Sequence, residues 1–335
     1  MISPGPEWPG VFRSGAWPGG FVAMSSETAR TGGAAAGDNV SAGITLVLIS
    51  VVVFGIQDAF SKLLVQDYSP FQIAMMRYWG FAAFSLYLVV RKGPLRQAFA
   101  SRAPLWQILR GVLLVADIWL FALALKTVPL AELQAISLVY PLLVTLFAIP
   151  LLGEKVGPFR LGAVVVGFLG AMIIVRPGGL PLDMGVVYAI ASCSFYAIYI
   201  VLTRKVGKLD STATSMAYTG VVGLVMTTAV GVFHWAPMDG RGLAMVAVVM
   251  ITTCAAHGLM IKALSLAPAS VLQPFSYFSL PWAIFLSYVI FSHLIDPVSL
   301  IGAAVIAAAG LVVMARERLR GSVSAGAETP LPGKE

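Results

Sequence analysis

Asp58, Arg77 and Asp117 are the residues of this chain most able to do chemistry, because each interrupts an apolar run of about twenty residues. Ionisable groups in such runs cost about 2.5–3.5 kcal/mol at a helix centre on insertion scales, so they turn towards a cavity or a partner. Asp58 lies about seven residues before the end of its run and Arg77 about seven after the start of the next, which at about 1.5 Å per residue puts both roughly 10 Å below the same surface. Equal depth across a short connection predicts an ion pair, serving either as a substrate-binding or gating pair or as a structural lock between two helices. Asp117, at a similar depth and near Trp119, is either a third member of that polar cluster or a proton-titrating carboxylate.

A second constellation recurs in the two halves of the chain. Gln134, Ser137 and Tyr140 precede Pro141, and Gln273, Ser276 and Tyr277 precede Pro281. Proline removes a helical donor and frees a carbonyl, which a membrane tolerates only beside protein or a water-lined cavity. Matched proline-broken helices therefore predict hinges at Pro141 and Pro281 with a solute site around their polar neighbours. Tyr196 and Tyr199, with Tyr78, Tyr218 and Trp282, supply aromatic walls with polar handles. His257 reads as a packing histidine before a proton sensor. Glu132 is expected to reach solvent at the interface, and Arg110 to snorkel to the headgroups.

The elements that position these groups are helices. Of the 335 residues, 59% are hydrophobic and only 11% charged, too little polar surface for a soluble globule of this length. Ten apolar spans fall at 43–65, 71–90, 105–125, 129–151, 158–176, 184–204, 212–233, 243–264, 270–291 and 298–315, so the fold class is an all-α polytopic membrane protein. Arg91, Lys92, Arg96, Arg102, Lys155, Arg160, Arg204, Lys205, Lys208, Arg316, Arg318 and Arg320 fall on one side. Only Lys126, Arg176 and Arg241 fall on the other, which predicts both termini in the cytoplasm. The net charge of +7 is thus an insertion signal rather than a sign of a nucleic-acid partner. Membrane lipid is the expected surface partner, with the basic 91–104 segment chiefly a topology determinant.

Residues 1–40, rich in Gly, Pro, Ser and Ala, predict a disordered leader, with Met24 an alternative start; 317–335 predict a cytoplasmic tail. Cys193 and Cys254 have no metal-like spacing, so no metal or cofactor is expected. Glycines at 162, 167, 170, 302 and 310 predict helix-packing seams, with a homodimer contact as the lesser alternative.

The halves 41–177 and 183–316 carry five spans each. Ala124-Leu125 and Pro129 match Ala263-Leu264 and Pro268, and Gly162 and Gly170 match Gly302 and Gly310. Five is odd, so two directly joined copies enter the membrane in opposite senses, an inverted-topology repeat. Arg77, the run Ala124-Leu-Lys-Thr-Val-Pro-Leu-Ala131, Leu151-Leu-Gly-Glu154, Val175-Arg-Pro177 and the segment from Ala267 to Tyr277 resemble the drug/metabolite transporter superfamily, specifically its EamA-type ten-helix members. Phe291-Ser-His293 departs from the Phe-Gly-Glu usual there. The resemblance implies secondary transport, import or export, of small organic metabolites such as amino acids across the inner membrane by alternating access. An intramembrane enzyme would need a convergent nucleophile, base or metal set, which the three scattered histidines do not supply. A scaffold or signalling subunit is the other alternative.

Overall fold

The computed structural model describes residues 26–91, 94–153, 156–176, 183–267 and 269–327; side chains are described within 40–316, except Thr212, Leu264, Ser265, Ala269, Ser270 and Gln273. The chain divides into units of residues 1–39 and 40–335. Within the first, residues 26–39 have helical backbone, and the rest of the leader expected over 1–40 lies outside the described residues.

Among its described residues the second unit has nine helices long and apolar enough to cross a membrane and a tenth, shorter apolar helix. They are α1 (Ser26–Asp67, apolar from Val40), α2 (Pro70–Val90), α3 (Pro104–Thr127), α4, α5 (Pro158–Ile174), α6 (Met184–Val206), α7 (Thr212–Gly231), α8 (Gly240–Leu266), α9 and α10 (Pro297–Ala327). A short helix, Leu95–Ala98, links α2 to α3. The starts follow local chemistry: Ser69, Asp183, Ser211 and Asp239 accept from backbone N–H groups of α2, α6, α7 and α8, and Pro70, Pro104 and Pro158 sit in first turns, where the missing donor costs nothing.

The two proline-bearing helices are discontinuous. α4 runs as Leu130–Ser137 and Tyr140–Leu152, broken at Leu138 and Val139. α9, expected as a proline-broken span over 270–291, is Ala269–Leu272, a 3₁₀ stretch Gln273–Phe278, and Ser279–Phe291. Pro141 and Pro281 each fall in the first turn after the interruption. Pro141 cannot donate to the Ser137 carbonyl four residues back, and the Cys193 thiol lies 3.8 Å from that oxygen. α4 ends at Gly153 with φ +68°, and α9 at the equivalent Ser292 with φ 52°. A serine therefore holds the left-handed conformation that glycine adopts more readily.

Packing follows the repeat. α3 lies along α6, and its counterpart α8 lies along α1, where Val47 and Val51 meet Ala263 and Ser50 donates to the Ala256 carbonyl at 2.9 Å. α2 packs on α7 and α5 on α10. The α5–α10 contact is a close one: a Cβ on Gly170 would stand 2.7 Å from the Gly302 carbonyl. Gly170 and Gly302 are thus used inside the chain, whereas Gly162, expected in the same seam, faces open space.

Candidate functional site

A cavity of ≈ 350 Å³ lies between the repeats, and it gathers Asp58, Arg77, Asp117, Gln134, Ser137, Tyr140, Pro141, Tyr196, Ser276 and Tyr277. α1 to α4 of the first repeat and α6, α8 and α9 of the second supply its wall. Tyr199 does not line it. Its ring stacks under Tyr196 at 5.8 Å, one turn further along α6. Pro281 is also outside the wall, Gln273's side chain lies outside the described residues, and Tyr218 instead donates to the Phe99 carbonyl near the far ends of α2 and α7. Trp282 lies across α1, its indole N–H on the Val52 carbonyl at 3.0 Å, in space that any side chain at Gly55 would occupy.

The charged groups are organised differently from the expected pair. Asp58 Oδ2 accepts from Gln134 Nε2 at 2.8 Å. The neighbouring Gln57 Oε1 accepts from the Thr253 hydroxyl of α8 at 2.6 Å. Asp117 Oδ1 accepts from Ser192 Oγ of α6 at 2.6 Å. Arg77 attracts both carboxylates through space, but among the described residues it makes no hydrogen bond or ion pair with either. The direct Asp58–Arg77 contact is therefore absent: Gln134 takes the place at Asp58 that the guanidinium was expected to fill. All three charged side chains are only half-buried, since each faces the cavity. Tyr140 hydrogen-bonds Ser276 across the repeats and meets Tyr196 edge-on at 5.1 Å. His257 places Nδ1 2.8 Å from the Thr253 carbonyl and sits between Phe54 and Phe81, each 5.0 Å away; it also lines the cavity.

The cavity is asymmetric along the bundle. At one end Val65 and Pro70 bracket the α1–α2 connection and Leu125 lies close to the end of α3. Towards the other end the wall stops at Leu114 on α3 and Tyr196 on α6, about three turns short of the Pro104 and Val206 termini. The Tyr196–Tyr199 stack and a polar network fill that space. Arg110 is 3% exposed, so it does not snorkel. Its guanidinium donates to the Ser215 carbonyl at 2.5 Å and to the Thr219 and Thr203 hydroxyls at 2.7 and 3.4 Å, and lies 5.3 Å from the Tyr199 ring centre. Gln107 Nε2 donates to Asp210 at 2.9 Å and Ser215 Oγ at 3.2 Å, and Ser101 Oγ and the Arg102 N–H also donate to Asp210. Burial alone would raise the Asp210 carboxyl, but these donors, with the Arg102 charge, outweigh it and hold it below the usual carboxylate range. Arg110 Nε and Gln107 Oε1 have no partner among the described residues, so the network is tight without being complete.

At the opposite end Glu132 is 4% exposed rather than solvated, and His293 Nε2 sits 2.7 Å from its Oε1. Lys62 Nζ nearby donates to the Leu125 and Val128 carbonyls at 2.9 Å, closing the C-terminus of α3. Sequence reasoning passed over Gln57, Ser192 and Thr253. Adjacency to Asp58 is the one signal that marks Gln57; two isolated hydroxyls in apolar runs look like any helix-buried Ser or Thr. No group of three or more His, Cys, Asp or Glu side chains suited to a metal occurs among the described residues.

The EamA-like transporter family model matches residues 41–176 and 183–315, one segment per repeat. The chain is 25% identical over 276 residues to an S-adenosylmethionine uptake transporter of Rickettsia prowazekii, covering 82% of this chain and 93% of that protein. It is 28% identical over 215 residues to a riboflavin transporter of Vibrio cholerae (63% and 72% covered) and 29% over 258 residues to one of Brucella anthropi (73% and 88%). A solved crystal structure superposes with a TM-score of 0.59 at 17% identity over 83% of this chain and 98% of its own, a likeness of fold.

Proposed function

The chain belongs to the EamA-like transporter family and is a non-enzymatic, multi-span membrane transporter of small metabolites, and from that premise we propose that it works by alternating access around the cavity between its repeats. One observation carries this reading. A cavity with three charged side chains reaches the α1–α2 connection and is closed on the opposite side by the Tyr196–Tyr199 stack and the Arg110 network. Such a shape belongs to one end state of a carrier, with the solute site open to a single side. The substrate-binding group comprises Asp58, Arg77, Asp117, Gln134, Ser137, Tyr140, Tyr196, Ser276 and Tyr277. The interruptions before Pro141 and Pro281 are the hinges.

The protein resides in the cell inner membrane with both termini cytoplasmic, supported by the cations crowding the ends of the helices on that side. In this orientation the cavity faces outward. Purified protein in liposomes tests the mechanism: solute trapped inside should drive uptake of labelled solute from outside without any energy source, for a substrate found by comparing metabolites inside and outside cells with and without the protein. Binding without such counterflow would overturn alternating access. A cysteine at Gln97 that reacts with an impermeant reagent outside intact cells, while one at Arg241 is protected, would invert the orientation.

A further inference from the structure

We infer that Trp282 is a strut between the repeats: its indole ties the hinge of α9 to the turn of α1 that precedes Asp58, so that α1 and the second segment of α9, Ser279–Phe291, travel as one body when the carrier changes state. The inference rests on the alternating-access reading above and adds to it a positioning residue outside the cavity wall.

The contact has two halves, a donor and a notch. The Trp282 indole N–H donates to the Val52 carbonyl at 3.0 Å, a main-chain acceptor held in place by its own helix. The ring lies where a side chain at Gly55 would stand: a Cβ there would be 2.6 Å from Nε1, and 3.3 Å from Leu286 one turn further along α9. In hydrocarbon no water replaces a broken hydrogen bond, so the donor and acceptor stay together. Trp282 stands in the first turn after the 3₁₀ stretch Gln273–Phe278. Gly55 lines the cavity, one turn before Asp58. A change of angle at the α9 break therefore either carries this part of α1 with it or breaks the indole bond.

The repeat shows that the strut belongs to one hinge and not to the other. Pro141 matches Pro281, so Leu142 stands where Trp282 does, and Ser61 matches Thr203, so the buried Ala197 stands where Gly55 does. At the α4 hinge both the donor and the notch are therefore missing. Leu142 docks elsewhere: a Cβ on Gly167 of α5 would meet its side chain. The residue of α10 that matches Gly167 is Ala307, whose methyl group fills the corresponding notch. The residue after each hinge proline thus seats against a glycine, but Leu142 seats within its own repeat and Trp282 in the other. Across the repeats α6 offers the α4 break the Cys193 thiol, 3.8 and 3.9 Å from the Ser137 and Ile136 carbonyls, a weak donor that lets go readily. The second segment of α4 accordingly follows α5, and that of α9 follows α1. Bending at the α9 break then moves the helix that carries Asp58, which links the hinge to the charged wall of the site.

The test measures distances and amide protection, neither of which needs a solute. Nitroxide pairs at Ile49→Cys with Tyr288→Cys, exposed positions on α1 and α9, and at Ile49→Cys with Ile190→Cys, exposed positions on α1 and α6, are read by double electron–electron resonance in a background of Cys193→Ala and Cys254→Ala. Arg110→Met, which weakens the closed end, shifts the state. The α1–α6 distance should then change while the α1–α9 distance keeps its single peak. Trp282→Phe leaves a ring in the notch and removes the donor. It should split the α1–α9 peak in two and raise hydrogen–deuterium exchange roughly three- to tenfold, the loss of one hydrogen bond, in both Val51–Asp58 and Ser279–Leu286, with Leu142–Leu152 unchanged. An α1–α9 distance that shifts together with the α1–α6 distance while Trp282 is present, or exchange in Trp282→Phe that rises on α9 alone, overturns the strut and leaves alternating access in place. An α1–α6 distance that is the same in every background overturns the alternating-access reading, and the exchange result then decides the strut by itself. Should Trp282→Phe fail to fold, the distance series, which keeps Trp282, decides.

Discussion

Replacing Arg110 with methionine should open the closed end of the bundle. The guanidinium ties α3 to α7 through the Ser215 carbonyl and Thr219, and to α6 through Thr203 and the Tyr199 ring. Hydrogen bonds to a charged group contribute about 1.5–3 kcal/mol each, and the cation over the ring about 0.5–2. Part of this is regained on opening, when the guanidinium is hydrated, so about 2–3 kcal/mol of the sealed state's preference is at stake. Methionine fills the space of the aliphatic stem. It strands no hydroxyl, because Thr219 also donates to the Ser215 carbonyl at 2.8 Å and Thr203 to the Tyr199 carbonyl at 2.7 Å. A loss of about 2 kcal/mol would turn a 100:1 equilibrium into roughly 3:1. The assay is maleimide labelling of Val206→Cys, a fully buried position at the end of α6, measured above the background of the two native thiols. Its rate should rise about tenfold or more with Arg110→Met. Labelling of Ser61→Cys, in the cavity wall, should fall in the same variant, because one end closes as the other opens. Equal labelling of Val206→Cys in both backgrounds, or a rise at both reporters, would refute the seal; the second result means general loosening. The Asp210 carboxylate adds a pH limit. Its pKa is depressed in the fold, so its contribution is fully present above the unfolded value of about 3.9 and disappears only as pH falls through the lower folded value. The ratio of Val206→Cys labelling rates with and without Arg110→Met, in which the falling thiolate fraction cancels, should therefore be flat from pH 8 to 5.

Three further outcomes follow from the same contacts. Asp58→Asn together with Arg77→Gln should retain more folded protein than Arg77→Gln alone, because removing one charge of an attracting pair strands the other; losses that simply add, measured by detergent-resistant monodisperse yield, would remove the coupling. Replacing Pro141 and Pro281 together with alanine should permit continuous hydrogen bonding across the interruptions of α4 and α9, leave thermal stability equal or slightly higher, and slow counterflow. Unchanged kinetics would take the hinges out of the cycle. Gly170→Ala should destabilise by about 1–3 kcal/mol, since its Cβ meets the Gly302 carbonyl at 2.7 Å and backbone cannot step aside as a flexible side chain can, while Gly162→Ala, facing open space, should be neutral in the same melt.

The parts of this protein that were readable from its sequence are those governed by one dimension. An apolar run long enough to cross a bilayer needs no knowledge of its neighbours, and a proline in such a run interrupts the backbone wherever the helix packs; the ten helices and the breaks in α4 and α9 follow. Depth is equally one-dimensional, which is why Asp58, Arg77 and Asp117 meet in one cavity. Contact also depends on azimuth, and depth says nothing of that. Asp58 and Arg77 share a level, yet Gln134 from α4 reaches Asp58 at 2.8 Å and takes the bond. Tyr196 and Tyr199 share a face of α6, but the turn between them separates the cavity wall from the plug beneath it. Arg110 and Glu132 were misplaced for a related reason. Snorkelling and solvation presume that nothing lies over the end of the helix, and whether something does depends on distant chain: the start of α7 supplies Ser215 and Thr219 above Arg110, and the turn after α9 brings His293 onto Glu132. Charged residues near the helix ends of this chain thus divide into those left to the ends and those covered by the other repeat. The two covered residues, Arg110 and Glu132, lie towards opposite ends of the cavity, where the proposed alternating access would have the bundle open and close.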